Sequence, residues 1–308
     1  MNPPPPQAAA DPERWCAAAA DYIAAVCRAR GAAGVAVGIS GGLDSAVVAA
    51  LAARALGPQR VLGVWLPERD SCPQSARLAR ALAQGLGLTL VKQSLTRALR
   101  ALGAYRLAPR PGLLPRRWQV GYVRRQLSRA ARLGGGSALL ADTAAERDAA
   151  LARGAALCRA KVRLRMLALH LQAEPRHLLV AGTCNRTEWL TGLFAPWGDP
   201  AADLLPLRNV CKTDVRRLAR HLPIPAPILE RAPAPDLAPG LTDEDLLGIP
   251  YPKLDRILAA LEPDGATPPP ESLADCTAQE LDLVRQLLRR SALLRSLPDV
   301  FAPPARLL

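Results

Sequence analysis

The sequence is poor in the residues that build metal centres and disulfide frameworks. Its 308 residues include only three histidines and seven cysteines, and no two cysteines form a C-x-x-C pair. The odd number and wide spacing of the cysteines argue against a disulfide framework and against a zinc knuckle. We therefore expect a protein of a reducing compartment, the cytoplasm.

Long apolar runs are also missing. No stretch of 18 or more uncharged apolar residues occurs, so no membrane span is predicted. The start of the chain has four consecutive prolines and no basic region followed by an apolar one, which predicts a disordered tail over residues 1–10 rather than a secretion signal. Because half of the residues are apolar, residues 11–308 are expected to form one domain.

Lysine is scarce, and arginine carries nearly all of the positive charge. The formal net charge is +13, and the densest basic stretch runs from Arg116 to Arg132. A nucleic-acid surface would explain this charge. A general bias of the chain towards arginine and alanine explains it about as well, so nucleic-acid binding is kept only as an alternative.

What the sequence does contain is a glycine- and serine-rich turn after an apolar run. Val35–Val37 predicts a buried strand, and the small apolar residues after the turn predict a helix. Glycines let the backbone approach phosphate closely, and the first N–H groups of a helix favour negative charge. The turn therefore predicts a phosphate-binding loop made of Gly38, Ile39, Ser40, Gly41, Gly42, Leu43, Asp44 and Ser45.

This loop differs from two familiar nucleotide-binding motifs. It lacks the Gly-Lys-Ser/Thr ending of the Walker A loop, and its glycines are not spaced as in the dinucleotide fingerprint. The Asp44 carboxylate would repel a bare phosphate, which suggests a metal ion between the two. The loop resembles that of the ATP pyrophosphatases, which split ATP into AMP and pyrophosphate.

The rest of the pattern is that of a doubly wound α/β fold, a mainly parallel sheet with helices on both faces. Strands are expected at 35–37, 61–65, 88–91 and 177–181, separated by stretches with helical periodicity. Residues 104–150 break this rhythm, and we expect an inserted helical hairpin or a mobile excursion there. Two polar or Pro-rich loops, Glu68–Pro73 and Ala232–Thr242, are expected to close over the site.

A second cluster of polar residues follows the last of these strands. Thr183 and Glu188 lie in the string GTCNRTE at 182–188. Ligands of open parallel sheets bind at the carboxyl ends of the strands, so this segment should face the phosphate loop. Thr183 can donate a hydrogen bond to ATP, and Glu188 would join Asp44 in a carboxylate pair suited to Mg²⁺.

The order of the motifs resembles that of ammonia-dependent NAD synthetases. After the phosphate loop and GTCNRTE come GLFAPWGD at 192–199, Cys-Lys-Thr at 211–213, PAPDL at 233–237 and TDEDLLG at 242–248. The resemblance implies an ATP pyrophosphatase-type fold and a carbon–nitrogen ligase. In that family ATP adenylates the nicotinate carboxylate of deamido-NAD, pyrophosphate leaves, and ammonia then displaces AMP to give NAD.

The resemblance also implies roles for particular residues. The phosphate loop, Thr183 and Lys212 would bind ATP, with Asp44 and Lys212 catalytic and with Mg²⁺ held by Asp44 and Glu188. The acceptor, deamido-NAD, would be bound by Arg163, Asp199 and Asp203. The family forms homodimers in which the dinucleotide site crosses the subunit interface, so Arg163 would act on the partner's site.

The acceptor side of the pattern departs from the family. Expected cationic or polar residues are replaced by Pro196, Ala234 and the pair Leu293–Leu294. The same adenylation and amidation chemistry on another carboxylate therefore stays open, as does a nucleic-acid-directed ATP pyrophosphatase. We expect no fused glutaminase at this chain length, so ammonia would come from solution or from a separate glutaminase.

Overall fold

A central parallel sheet organises the protein. The computed structural model describes residues 11–107, 115–141, 148–261 and 273–298. Their strands pair in the order β3-β2-β1-β4, and every pairing is parallel. Each strand begins and ends within one residue of its expected bounds: β1 (Gly34–Gly38), β2 (Val61–Trp65), β3 (Thr89–Lys92) and β4 (Leu178–Ala181).

Helices connect the strands and form the carboxyl-terminal part of the described chain. None of those in the described ranges is long and apolar enough to cross a membrane. They are α1 (Pro12–Ala29), α2 (Leu43–Leu56), α3 (Pro73–Leu86), α4 (Thr96–Ala101), α5 (Arg116–Leu133), α6 (Ala149–Ala173), α7 (Arg186–Thr191), α8 (Lys212–Ala219), α9 (Ala226–Leu229), α10 (Asp243–Leu247), α11 (Tyr251–Leu261) and α12 (Ala278–Arg295).

The strand order creates a crevice beside β1. The chain passes from β1 to β2 and β3 on one side and then adds β4 on the other side. This reversal is the topological switch point at which doubly wound folds bind ligands. Val37 of β1 lies opposite Ala181 of β4, so the two strands end level with each other. The segments that follow them therefore start side by side.

Helices pack on both faces of the sheet, as the sequence pattern predicts. Side chains alternate along a strand, so Val35 and Val37 of β1 join the apolar core under α2 while Ala36 joins the core under α6. Helix α2 also contacts α1 and α8. It is apolar on nearly every side because it lies between the sheet and these helices.

The segment expected to be an insertion contains one long helix in its described part. Helix α5 covers 18 residues, and the residues after it, 134–141, turn back towards α10. The Oγ of Ser137 donates to the backbone carbonyl of Leu246 at 2.7 Å. The expected tail at 1–10 lies outside the described residues.

Candidate active site

The phosphate loop leaves β1 and enters α2, as the sequence indicates. Gly42 is the N-cap of α2. The Ser45 hydroxyl donates to the Gly42 carbonyl at 2.9 Å and accepts from the backbone N–H of Ser40 at 3.3 Å, and the Gly42 N–H donates to the Ser40 hydroxyl at 3.1 Å. These short-range bonds fold the loop around the start of the helix, where backbone N–H groups are available to an anion.

Gly41 is the position in the loop where glycine is required. Its φ is +75°, and a Cβ there would lie 3.0 Å from both the Leu78 Cβ and the Ser75 carbonyl oxygen. Any other residue would be strained and crowded against α3. The Gly41 carbonyl also accepts from Nη1 of Arg231 at 3.0 Å, which ties the loop to residues 231–242, the Pro-rich segment.

The string after β4 forms the start of α7 through a capping box. The Asn185 side chain accepts from the N–H of Glu188 at 3.0 Å, and the Glu188 carboxylate accepts from the N–H of Asn185 at 3.1 Å. Nδ2 of Asn185 also donates to Asp44 at 3.0 Å. Asn185 therefore couples the two halves of the site, a role that the sequence pattern did not reveal.

Lys212 joins the two predicted metal-binding carboxylates. Its side chain is 2% exposed, its Nζ forms an ion pair with the Asp44 carboxylate, and the same Nζ lies 3.8 Å from Glu188 Oε1. Burial alone would lower the pKa of Lys212, but Asp44 and Glu188 raise it overall. Lys212 is therefore a cation held between the two carboxylates.

Burial raises the pKa of the Glu188 carboxyl well above its ordinary value, and the nearby Asp44 adds to this effect. A third carboxyl lies near the cluster. Asp243, at the start of α10, accepts a hydrogen bond from the Tyr251 hydroxyl at 2.9 Å, and burial raises its pKa as well. The cluster therefore holds more carboxyl groups than Lys212 alone can neutralise, and such a site suits a further cation.

A buried aspartate holds this cluster together from behind. Asp255 of α11 accepts from the Thr187 hydroxyl at 2.5 Å and from both the N–H and the hydroxyl of Thr213 at 2.8 Å. The Thr187 oxygen in turn accepts from the Lys212 N–H at 2.9 Å. Asp255 therefore fixes the start of α8 against α7, which places Lys212 beside Glu188.

A cavity of about 620 Å³ extends from the phosphate loop. Of the predicted ATP-binding and metal-binding residues, all line it except Gly41, whose contacts lie behind the loop. The wall opposite the loop is formed by α5, α6 and residues 231–239 and 241 of the Pro-rich segment. The cavity is therefore continuous from the predicted ATP site to a larger, mostly apolar space.

The predicted acceptor-binding residues are not brought together. Asp199 lines the cavity, and its carboxylate accepts from the Ala195 N–H at 2.9 Å. Asp203 lies apart from the cavity wall, where it accepts from the Val180 N–H at 2.8 Å and pairs with Arg30. Thus Asp203 supports β4 in this chain, and substrate binding by it stays a prediction.

Arg163 also lies away from the cavity lining. Its Nε donates to the Pro196 carbonyl at 3.0 Å across the exposed side of α6. This position leaves open the expected action of Arg163 on a partner subunit. Of the other departures from the family pattern, Ala234 lines the cavity, while Leu293 is 72% exposed on α12.

The two loops expected to close over the site are bonded to each other. The Asp236 carboxylate accepts from the Cys72 N–H at 2.7 Å and from the Ser75 hydroxyl at 3.3 Å. Lys161 of α6 is 1% exposed, pairs with Glu68 at 3.0 Å and Asp70 at 2.6 Å, and donates to the Leu237 carbonyl at 2.7 Å. Their mobility without ligand stays a prediction.

Sequence reasoning missed Lys161 as the residue that joins these loops. A lone lysine in a lysine-poor chain was the available signal, as it was for Lys212. The partners of Lys161 are 76 to 93 residues away along the chain, so no local pattern could identify them. Only the packing of α6 against both loops brings them together.

Comparison with known proteins identifies the family. A family model described as NAD synthase matches residues 15–111 and 138–298. This chain belongs to the NAD synthase family. An NH(3)-dependent NAD(+) synthetase of Thermotoga neapolitana is 40% identical over 258 residues, which cover 84% of this chain and 86% of that protein. An NH(3)-dependent NAD(+) synthetase of Methanocaldococcus jannaschii is 33% identical over 86% of this chain and 87% of that protein.

Solved structures of related enzymes share the fold. An NMN synthetase of Francisella tularensis aligns with a TM-score of 0.71 and 25% identity over 96% of this chain and 99% of its own. An NH3-dependent NAD synthetase of Campylobacter jejuni aligns with a TM-score of 0.67 over 95% of this chain and 100% of its own. The NAD synthase match leaves residues 112–137 out, and these include all of α5.

Proposed function

We propose that this member of the NAD synthase family uses ATP to amidate the nicotinate carboxylate of deamido-NAD with ammonia, through an acyl adenylate. The observation that carries the proposal is the cluster in which Lys212 lies between Glu188 and Asp44, a residue of the predicted phosphate loop. The relatives at 33–40% identity support the same reaction. The enzyme is then a carbon–nitrogen ligase with ATP as substrate.

The loop and Lys212 are suited to hold the triphosphate. Backbone N–H groups at the start of α2 and the hydroxyls of Ser40 and Ser45 would donate to phosphate oxygens. Lys212 would turn from its carboxylate partners to the phosphates once a second cation balances those carboxylates. Thr183, which lines the cavity after β4, would bind the nucleoside side of ATP.

The residues present fit a magnesium ion. Carboxylate oxygens are its preferred protein ligands, and one or two of them together with phosphate oxygens are typical. Asp44 and Glu188 would hold the ion, and it would neutralise charge on the pyrophosphate that leaves. The raised pKa of Glu188 is consistent with a site whose carboxyl groups Lys212 alone does not neutralise.

Exclusion of water is the remaining requirement, because an acyl adenylate hydrolyses readily. The bonded loops, joined by Lys161 and Asp236, would cover the intermediate while ammonia attacks. Asp199 inside the cavity would contact the acceptor, and Asp203 and Arg163 would do so only through a rearrangement or a partner subunit.

A homodimer is proposed because Leu167 and Leu171 lie exposed on α6. The seven cysteines are free thiols, which supports a cytoplasmic setting.

A second candidate substrate is nicotinate mononucleotide. The structural neighbour with a TM-score of 0.71 is an NMN synthetase, and Pro196 and Ala234 depart from the expected polar positions on the acceptor side. The chemistry at the carboxylate would be the same. The two candidates differ in whether the adenylate half of the acceptor is bound.

The test is pyrophosphate release with ATP, Mg²⁺ and ammonium, measured without acceptor, with deamido-NAD and with nicotinate mononucleotide. Mass spectrometry identifies the amide product. Stimulation with NAD formed is the expected result, and preference for the mononucleotide would select the second candidate. Glutamine in place of ammonium should give no product unless a separate glutaminase is added. If neither acceptor stimulates release, the proposed reaction is wrong.

A further inference from the structure

Helix α5 belongs to the part of the chain that the family model leaves unmatched, yet it forms a wall of the cavity. Its residues there are three or four positions apart, so they share one face of the helix. The cavity residues of this face are Gln119, Tyr122, Val123, Gln126, Leu127 and Ala130. An element that the family model does not match therefore contacts whatever fills the space opposite the phosphate loop.

This wall is uncharged, although α5 is strongly basic. The helix has six arginines and no acidic residue, and none of its arginines lines the cavity. Arg129 instead pairs with Asp148, the N-cap of α6, at 2.6 Å. The arginines of α5 therefore do not replace the cationic residues missing from the acceptor side. Amide, phenol and apolar groups suit the uncharged part of a nucleotide better than its phosphates.

The position of α5 is fixed by contacts outside the cavity. A Cβ at Gly240 would lie 2.9 Å from Val120, and one at Gly248 would lie 2.0 Å from the Gly136 carbonyl oxygen. The Ser137 bond to Leu246 and the Arg129 pair add polar attachments at the end of α5. The helix therefore presents a defined surface to a ligand.

Two side chains on this surface are suited to a nucleoside. Within the described residues, Oε1 of Gln126 is buried and has no hydrogen-bond partner, although buried polar atoms are normally satisfied. Tyr122, four residues earlier on the same face, is 43% exposed at the cavity wall. A carboxamide can bond to ribose hydroxyls or base edges, and an aromatic ring can stack on a base.

We propose that α5 binds the nucleoside part of the acceptor, with Gln126 hydrogen-bonded to it and the Tyr122 ring packed against it. This inference rests on the proposed function, because it assumes a nucleotide acceptor. Gln126 and Tyr122 are then specificity-determining residues supplied by a helix outside the matched family core. They act on the acceptor and leave the ATP end of the cavity unaffected.

The experiment compares the full-length enzyme with Gln126→Leu and Tyr122→Leu. The KM for the acceptor that the wild type uses should rise about tenfold in each variant, as expected for one lost contact. The KM for ATP and the melting temperature should stay as in the wild type. Gln126→Glu, which keeps the shape and places a negative charge near an anionic acceptor, should raise the acceptor KM further.

Matched controls come from the outer face of the same helix. Arg117→Leu and Arg124→Leu change residues of α5 that do not line the cavity, and both should leave the acceptor KM unchanged. An unchanged acceptor KM in Gln126→Leu, with the wild type active, would overturn this inference alone. Equal rises in both KM values with a lower melting temperature would also overturn it, since they indicate a structural role. A wild type that amidates neither nucleotide would overturn the proposed function as well.

Discussion

The two ends of the cavity are built on different physical principles. At the proposed ATP end, charged groups are concentrated and mutually paired: Lys212 lies between Asp44 and Glu188, and Asn185 joins the two halves of the site. At the proposed acceptor end, α5 and the Pro-rich segment form a mostly neutral wall. The family match covers the first end completely and omits α5 from the second.

This difference separates chemistry from recognition. Transfer of the adenylyl group needs charges at fixed positions, and those positions follow directly from strand ends and helix starts. Recognition of the rest of a substrate can use side chains of elements outside the shared fold, such as α5. The following predictions test the contrast, from the largest expected effect to the smallest.

Removal of the carboxylate that contacts Lys212 should affect the chemistry most. Asp44→Ala should lower the rate of pyrophosphate release at least about 100-fold, since it removes an electrostatic element of the transition state. The fold should be intact by circular dichroism. The control Asp214→Ala changes a carboxylate of α8 paired with Arg217 and should keep the wild-type rate. Wild-type turnover in Asp44→Ala would show that the ATP end is assigned wrongly.

Removal of the buried lysine between the two loops should affect stability most. Lys161→Met leaves Glu68 and Asp70 without this cation and should lower the free energy of unfolding by about 3–5 kcal/mol. Limited proteolysis should then cleave residues 68–73 and 232–242 faster than in the wild type. Denaturant titration gives the first quantity, and mass mapping of the fragments gives the second.

The matched control for this prediction is Lys253→Met. Lys253 pairs with Glu280 at 2.9 Å on the surface, and exposed ion pairs contribute little. Stability and cleavage rates should therefore stay close to those of the wild type. If Lys161→Met behaved like this control, the two loops would not depend on the buried lysine.

A smaller effect is expected from the phenol that supports the first loop. The Tyr105 hydroxyl donates to Glu68 at 2.8 Å. Tyr105→Phe should therefore lower the free energy of unfolding by about 1 kcal/mol at pH 8. Tyr22→Phe, which changes a more exposed phenol of α1, is the control and should have no effect.

The same pair of variants gives a prediction for alkaline pH. Burial, then Glu68, raises the pKa of Tyr105 to about 12, whereas an unfolded tyrosine titrates near about 10. Between these values the unfolded chain loses the proton and the folded chain keeps it, so this contribution to stability is lost as the pH rises. The stability difference between wild type and Tyr105→Phe should therefore shrink above about pH 10. A constant difference would contradict the assigned environment.

Much of the ATP end could be predicted from the sequence. The glycine turn at 38–45 and the polar string at 182–188 after the last strand are local patterns, and both lie at strand ends as expected. The strands followed from short apolar runs bounded by turn residues. The parallel order then required the two loops to meet, because parallel strands separated by helices end at the same edge of a sheet.

The acceptor end could not be predicted in the same way. The sequence pattern identified residues 104–150 as an interruption and their arginines as the conspicuous feature. In the structure none of the arginines of α5 lines the cavity, whereas Gln126 and Tyr122, which the sequence pattern did not single out, do. Which face of a helix is used depends on its neighbours, here Gly240 against Val120 of α5, and this is not encoded locally.

The sequence by itself determined the parallel α/β fold, the phosphate loop and the carboxylates that accompany it, because helical and strand periodicity and turn chemistry act over a few residues. Only the tertiary structure decided that Lys212 is held between Asp44 and Glu188, that Lys161 joins two distant loops, and that α5 presents a neutral face to the cavity. Those contacts join residues far apart in the chain, and their energies depend on burial, which exists only after the chain has packed.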